Sequence, residues 1–506
     1  MTYSRTITLG FLCSALAGCV VGPDYRGAPD AAPDAARAAA FKRADALLEP
    51  AVPPPSRWWE TMEDPALNAL IEKAFAASPT LQAAEARIRQ SRALLVQRRA
   101  AGLPGATATG AAIKASVPAS GPLAALGGSS AASSSSSSSG TSSGQASAGG
   151  HQTIDFYTAG FDAVWEIDLF GGVRRGVEGA AAQTDAAIAR YQDAQVQLAA
   201  EVGQAYAGLR GLQRQLEIGN ENAAVQRRML ALTEARRRGG TADDLDVERV
   251  RAQITQTQAD IVPLGGRIQE SLDQLALLTG QEPGALDTGL ATAAPLPKVP
   301  ASVAVGDPAS LLRRRPDVRA AERALAAGNA AVGQAVAARF PKVTLFGNIG
   351  FSSGSASDLF HHDKLAVLGG PILQWNFLDF GGNRARVRQS EAAFDETEAM
   401  YRQAVLAALQ DAEQGVSRFR SQRDTLEQLA ASRDSATRSA ALAQTRYRGG
   451  TASLLDALDA ERQRLQAENG LAQGATALVT QYMALQKSLG LGWSEPPQPV
   501  VARRAD

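Results

Sequence analysis

The chain repeats itself at a fixed offset, and no other feature restricts its fold so strongly. Trp165, Phe170, Gly171 and Gly172 recur as Trp375, Phe380, Gly381 and Gly382. Arg238, Gly239, Gly240, Thr241 and Ala242 recur as Arg448, Gly449, Gly450, Thr451 and Ala452, and Leu245 and Asp246 recur as Leu455 and Asp456. Tyr191 matches Tyr401 and Gly280 matches Gly490, and all these pairs are 210 positions apart. Upstream, Pro79, Glu85 and Pro104 match Pro316, Glu322 and Pro341 at an offset of 237. The first half therefore carries 27 extra residues between Pro104 and Trp165, an interval that holds the serine run 133–139 within a Gly/Ser-rich tract. Such a tract cannot build a core and reads as a surface loop. The duplicated units span about 60–290 and 300–495, joined by a Pro/Ala-rich connector near 291–308.

Both halves read alike. A helical stretch (66–101; 308–339) leads through Leu103-Pro104 or Phe340-Pro341 into a strand, and a second strand follows the loop. Tyr157, Ala159, Phe161, Ala163, Trp165, Ile167 and Leu169 alternate with a face carrying Asp162, Glu166 and Asp168, which is the period of a strand with one apolar side. Val343, Leu345, Ile349 and Phe351 alternate with Thr344, Asn348 and Ser352, and Leu373, Trp375 and Phe377 continue the apolar face in the fourth strand. After the double glycines come long helical patterns, about 173–238 and 383–448, in which Leu198, Val202, Ala205, Leu209, Leu212 and Leu216 step at coiled-coil spacing. At 1.5 Å per residue each such helix is roughly 100 Å long, beyond any ordinary globular domain. Gly239-Gly240-Thr241 and Gly449-Gly450-Thr451 end them, where glycine permits the left-handed backbone that reverses a chain. The returning helices, about 243–279 and 453–489, run roughly 55 Å at the same rise, and Pro263 predicts a kink in the first.

The N-terminus has a basic residue, Arg5, an apolar stretch over 7–16, and then Leu16-Ala17-Gly18-Cys19, which reads as a secretory signal rather than a membrane span. Leu-Ala-Gly-Cys resembles the bacterial lipoprotein processing box. That likeness implies a signal peptide over 1–18, a lipidated N-terminal extension over 19–60, and a covalent lipid on Cys19, S-diacylglycerol with N-palmitate. Val20 follows where an aspartate commonly retains lipoproteins in the inner membrane, so the resemblance implies sorting to the outer one. Cys13 leaves with the signal, and a single remaining cysteine excludes disulfides and cysteine metal sites. Residues 496–506 read as an irregular tail.

Basic and acidic side chains balance at 51 each and are spread along the chain, so no one-signed field is available for nucleic acid. There is no Gly-rich phosphate loop, nucleophile motif or metal-ligand spacing, and the chain does not read as an enzyme. His361-His362 reads as a solvated turn. Four strands with one apolar face cannot close a barrel alone, because an open edge in lipid leaves backbone groups unpaired. Three copies would supply twelve.

Cys19-Val20-Val21-Gly22-Pro23-Asp24-Tyr25, the Trp-to-Phe-Gly-Gly pairs, and Arg446-Tyr447-Arg448-Gly449 leading to Leu458-Asp459-Ala460-Glu461-Arg462 together resemble the TolC/OprM-type outer-membrane factors, specifically the NodT-like lipoproteins of drug-efflux systems. The resemblance covers nearly all of the mature chain and departs from the family chiefly in the Gly/Ser-rich insertion. It implies a mainly α fold with a membrane β-barrel: a homotrimer with twelve strands in the outer membrane and a long periplasmic helical barrel. It further implies a periplasmic adaptor and an inner-membrane pump as partners, passive conduction of small molecules, and Gly239, Gly240, Thr241, Gly449, Gly450 and Thr451 as the tips the adaptor grips. Aligned from Tyr447, the family's periplasmic gate falls on Leu455, Asp459 and Arg462, with Asp456 one turn nearer the tip. Three copies of Asp459 would form an acidic ring, which favours cations, and Arg462 would tie it shut. Solvated helix-surface pairing accounts for the same charges. Asp459 and Arg462 correspond to Arg249 and Ala252, so the gate belongs to the second hairpin alone. Trp165 and Trp375 read either as interfacial anchors or as packing at the strand–helix junction, and Trp58-Trp59 as packed against the helices. A duct for type I protein secretion and a lipid-anchored coiled-coil scaffold without a pore are the competing readings.

Overall fold

A computed structural model describes residues 20–44, 48–49, 52–118 and 151–495. Cys19, the serine run 133–139 and the tail 496–506 lie outside the described residues. In chain order the elements are α1 (Pro33–Arg37), β1 (Leu48–Glu49), a 3₁₀ turn (Trp58–Met62), α2 (Pro65–Ala77), α3 (Pro79–Ala100), β2 (Gly105–Pro118), β3 (His151–Ile167), α4 (Gly172–Arg238), α5 (Asp244–Leu278) and α6 (Asp287–Leu290). Then follow β4 (Val303–Ala304), α7 (Pro308–Arg314), α8 (Pro316–Ala337), β5 (Lys342–Ser353), a 3₁₀ turn (His362–Lys364), β6 (Leu365–Gln374), α9 (Gly382–Arg448) and α10 (Leu454–Ser488). The long helices repeat in length: α4 and α9 have 67 residues each, α5 and α10 have 35, and α3 and α8 have 22, whereas α2 has 13 and α7 has 7.

Two compact units emerge, and both draw on both halves of the repeat. The first comprises 1–25, 93–181 and 327–394, and the second 26–92, 182–326 and 395–506. In the first, β2, β3, β5 and β6 form one antiparallel sheet in that order. Its register puts Trp165 opposite Leu345, Phe161 opposite Ile349 and Leu345 opposite Pro371, so the apolar alternation of neighbouring strands falls on one face. That face is open in the single chain, with Phe161, Val367 and Leu373 more than half exposed. On the other face Asp162 accepts hydrogen bonds from Thr109 Oγ1 and from Asn348 Nδ2 (2.6 Å). Above Tyr157 the alternation reverses, and Phe156 and Ile113, paired across β2 and β3, turn their apolar side chains to the polar face. Residues 157–167 already supply the roughly 9–11 positions a tilted strand needs to cross a bilayer.

Each opening helix is broken, where the sequence reads as one continuous stretch. Ser78 (ψ 125°) and Arg315 (ψ 122°) precede Pro79 and Pro316, and a proline ring drives the residue before it out of the helical region. The strands are also shorter than their apolar alternation. β3 stops at Ile167 and β6 at Gln374, which leaves Leu169, Trp375 and Phe377 beyond the ladder. Both tryptophans close the strand–helix junction. Trp165 Nε1 donates to Gly102 O (3.0 Å) and Trp375 Nε1 to Arg339 O (3.1 Å), at the same point of each repeat. Helix α5 runs unbroken through Pro263.

The second unit holds the main core. Trp58 and Trp59 are buried against each other edge to face, with Tyr482 and Phe75 beside them. A short parallel pair, Leu48–Glu49 with Val303–Ala304, joins the N-terminal extension to the connector. Arg315 is buried and holds Asp317 (2.6 Å) and Asp411 (3.4 Å), and it also donates to Ser488 O (2.7 Å) at the end of α10.

Candidate functional site

The tips and the helix that leaves the second tip carry the candidate site. Both long helices end in the same hydrogen-bonded cap. Thr241 N donates to Arg236 O (2.9 Å) and Gly240 N to Arg237 O (3.0 Å), while Thr451 N donates to Arg446 O (2.9 Å) and Gly450 N to Tyr447 O (3.0 Å). Gly240 (φ 76°) and Gly450 (φ 74°) occupy the left-handed position of this motif. A Cβ added at either would meet no atom, so glycine is required there by backbone conformation and not by crowding. Gly239, Gly449, Thr241 and Thr451 are exposed, and both tips present their turn to solvent in the single chain.

The returning helices start on side-chain caps. Asp243 accepts from Asp246 N (2.8 Å), and Ser453 forms a reciprocal capping box with Asp456. Asp456 thus uses a carboxylate oxygen on Ser453 N (3.2 Å) and Ser453 Oγ (2.7 Å), and its immediate partner is the helix start. Leu454 and Ala457 pack with Met229, Val250 and Tyr447 in a small apolar cluster. That packing turns the face carrying Leu455, Asp459 and Arg462 outward, since positions four and three apart share a helix face. Leu455 is 55% exposed. Arg462 Nη2 lies 2.9 Å from Asp459 Oδ1, and both side chains are just over half exposed. Within one chain this is a surface ion pair of the kind that contributes about 0–1 kcal/mol. The first hairpin has Leu245 in the equivalent apolar position, 54% exposed, but Arg249 and Ala252 replace the acid and base.

Two arrangements near the site escape a reading by sequence. Arg236 of the first hairpin stacks on the Tyr447 ring (4.2 Å to the centroid) and donates to Tyr447 O (2.7 Å) and Arg448 O (3.0 Å). It thereby caps the carbonyl end of α9, where positive charge is favoured. Tyr447 is buried and its hydroxyl lies 3.3 Å from Thr233 Oγ1. This clasp joins the two hairpin tips of one chain. The available signal was a break in the repeat: Tyr447 stands where the first half has Arg237. Two residues beyond Arg462, Arg464 is mostly buried between Glu461 (2.6 Å) and Glu468 (2.5 Å), two bridges that hold its guanidinium above the usual arginine range.

No metal-binding group of three or more ligating side chains occurs among the described residues. His361 and His362 are exposed, as the cap and the first residue of a short 3₁₀ turn. Although Cys19 lies outside the described residues, the segment after it is held firmly within the first unit. Val21 N donates to Phe170 O (3.2 Å), Asn329 Nδ2 donates to Pro23 O (2.9 Å), and the buried Arg175 reaches Asp24 (2.5 Å) and Glu178 (2.8 Å). Gly22 (φ 89°) lies so close to Gly333 that a Cβ on it would stand 2.6 Å from the Gly333 Cα.

Comparison with known proteins agrees with this layout. The sequence pattern of the outer membrane efflux proteins matches residues 70–281 and again 308–491, which follow the two halves of the duplication. The chain is 28% identical over 494 residues to nodulation protein T of Rhizobium leguminosarum bv. trifolii, covering 98% of each. It is 31% identical over 448 residues to the pyoverdine export outer membrane protein OpmQ of Pseudomonas putida, covering 87% of this chain and 89% of that one. The solved structure of the outer-membrane channel OprN superimposes with a TM-score of 0.80 at 35% identity, over 94% of this chain and all of the other.

Proposed function

The chain belongs to the outer membrane efflux protein family, and we propose that three copies form its working unit: a passive duct that carries small molecules from an inner-membrane pump and periplasmic adaptor out of the cell. The observation that carries this reading is the four-stranded sheet. Among the described residues its outer strands β2 and β6 have one hydrogen-bonded neighbour each, and its apolar face is open. In hydrocarbon such edges leave several kcal/mol of unpaired backbone per group, so closure with other copies is the stable solution. Three sheets give twelve strands, and the polar face with Asp162, Asn348 and Thr109 lines the interior.

At the periplasmic end, three Asp459 carboxylates form an acidic ring that favours cations when open, and ion pairs with Arg462 tie it shut. Leu455 completes the constriction, and Asp456 serves mainly as the cap that starts α10. The tips Gly239–Thr241 and Gly449–Thr451 are the surface for the adaptor, because they are exposed, rigidly capped and repeated. Cys19 carries the S-diacylglycerol and N-palmitoyl chains. Among the described residues, the Arg175–Asp24 pair ties the segment that follows Cys19 to the start of α4. Transport draws its energy from the pump.

Single-channel recording in planar bilayers tests this. Purified protein should give discrete conductance steps that favour cations, and the Asp459→Ala/Arg462→Ala double variant should conduct more and discriminate less. An unchanged conductance and ion selectivity in the double variant would remove the gate from these residues.

A further inference from the structure

We propose that the cavity between α4, the connector and α10 binds a small amphipathic carboxylate, with Arg210 as the residue that receives its charge. The site lies within one chain and does not depend on the trimeric reading above.

Three arginines are buried among the described residues: Arg175, Arg210 and Arg315. A guanidinium keeps its charge, and burying it is costly unless an anion is buried with it. Arg175 has Asp24 and Glu178, and Arg315 has Asp317 and Asp411. Arg210 is as deeply placed, at 4% exposed, yet among the described residues it makes no ion pair. Both of its hydrogen bonds leave from Nη1, to Gln213 Oε1 (2.8 Å) and to Thr292 O (2.8 Å). Its Nε is buried and has no partner among the described residues. The Tyr206 ring lies 4.9 Å from the guanidinium carbon and offers one face only the weaker attraction of a π system.

Tethering the connector does not account for the charge. Gln213, one turn along α4, donates to Leu290 O (2.7 Å) with a neutral amide, so the same kind of tether is made beside it without a cation. Nor does the repeat require burial here. The twin of Arg210 is Arg420, and that residue is exposed. In the first half, connector residues 293–296 close over the position and leave a cavity of about 580 Å³, within the range of small-molecule sites.

Arg210 lines this cavity with Ile218 of α4, Pro295 and Leu296 of the connector, and Leu471 of α10, which supply an apolar wall. The other charged groups of the lining are already paired: Arg214 with Glu217 (2.5 Å), Arg433 with Asp434 (2.7 Å), and Glu468 with Arg464 (2.5 Å). Glu221, the remaining acid, is exposed. A carboxylate grips one edge of a guanidinium through two parallel hydrogen bonds. With Nη1 committed, the edge left on Arg210 is Nε–Nη2, and a small turn of the side chain brings it to the cavity. The molecule that fits has one carboxylate to complete Arg210 and a short apolar body to lie on Ile218, Leu296 and Leu471.

Fluorine NMR of the intact protein in a neutral detergent tests this with fluorophenylbutyrate and its uncharged amide. The acid should bind saturably and raise the thermal midpoint. The amide should bind about tenfold more weakly, since it lacks the ionic partner. Arg210→Gln should abolish the acid's advantage, and Arg420→Gln should keep it. If Arg210→Gln fails to fold, Ala294→Trp fills the cavity from the exposed connector with the arginine in place, and should abolish binding as well. Equal binding of acid and amide, binding that survives both Arg210→Gln and Ala294→Trp, or no saturable binding at millimolar concentration would each overturn the site. None of these results bears on the number of chains in the complex.

Discussion

Removing the Arg236 side chain should loosen the second tip without unfolding the chain. Arg236 makes two hydrogen bonds to the last carbonyls of α9 and stacks on Tyr447. Hydrogen bonds from a charged donor contribute about 1.5–3 kcal/mol each when buried, and an exposed cation–π contact about 0.5–1 kcal/mol. Arg236 is only half-buried, so water replaces much of what is lost, and a net tether of about 2 kcal/mol is reasonable. At 1.4 kcal/mol per decade that corresponds to a roughly 30-fold change in the ratio of clasped to open tip. Hydrogen exchange followed by mass spectrometry reads this directly. In Arg236→Ala, amides over 445–452 should exchange roughly 30-fold faster, while those of the Trp58 core keep their rates. Arg236→Lys should fall between, since an ammonium keeps the charge but not the planar fork. Unchanged exchange at 445–452 in the alanine variant would refute the clasp as a determinant of tip stability.

Arg315→Ala should lower stability by about 3 kcal/mol, the lower end for breaking a buried ion pair because Asp411 remains half in water, and chemical denaturation would measure it. Asp193 offers a pH test. Burial, aided by the charge of Asp317, raises its carboxyl above the usual range, so the folded state binds that proton more tightly than the unfolded chain. Stability from this group is therefore present at low pH and lost as pH rises through the folded value. Asp193→Asn should raise the thermal midpoint at neutral pH, and its advantage should shrink on acidification. Gly22→Ala places a methyl group against the Gly333 backbone at a positive φ. Limited proteolysis should then cut the 20–25 segment faster while leaving the long helices intact.

The repeat made most of this fold legible. Helices of equal length, twin glycine caps and a four-strand sheet all follow from a constant offset and a change of period from two to about three and a half. The misreadings were local. Pro79 and Pro316 each break a helix because the residue before proline is forced extended, whereas the apolar periodicity runs straight through them. The apolar alternation of β3 and β6 outlasts their ladders, since Leu169, Trp375 and Phe377 lie past the last paired residues. The Leu48–Glu49 pairing with Val303–Ala304 depends on long-range contact and leaves no pattern in two residues. The Arg236–Tyr447 clasp joins positions that are not equivalents, so self-comparison shows it only as a mismatch, Tyr447 against Arg237. Asp459 and Arg462 were visible by resemblance, and the structure adds that one turn of α10 already pairs them while Asp456 is engaged in capping.

The count of chains in the working unit tests the account most directly, because the proposed twelve-stranded closure and the proposed acidic ring both require three copies. Native mass spectrometry of protein extracted from outer membranes in mild detergent gives that count. The expected result is a complex of three chains, each heavier than its processed sequence by one diacylglycerol and one acyl group. A monomer, or an assembly of two or four chains, would contradict it.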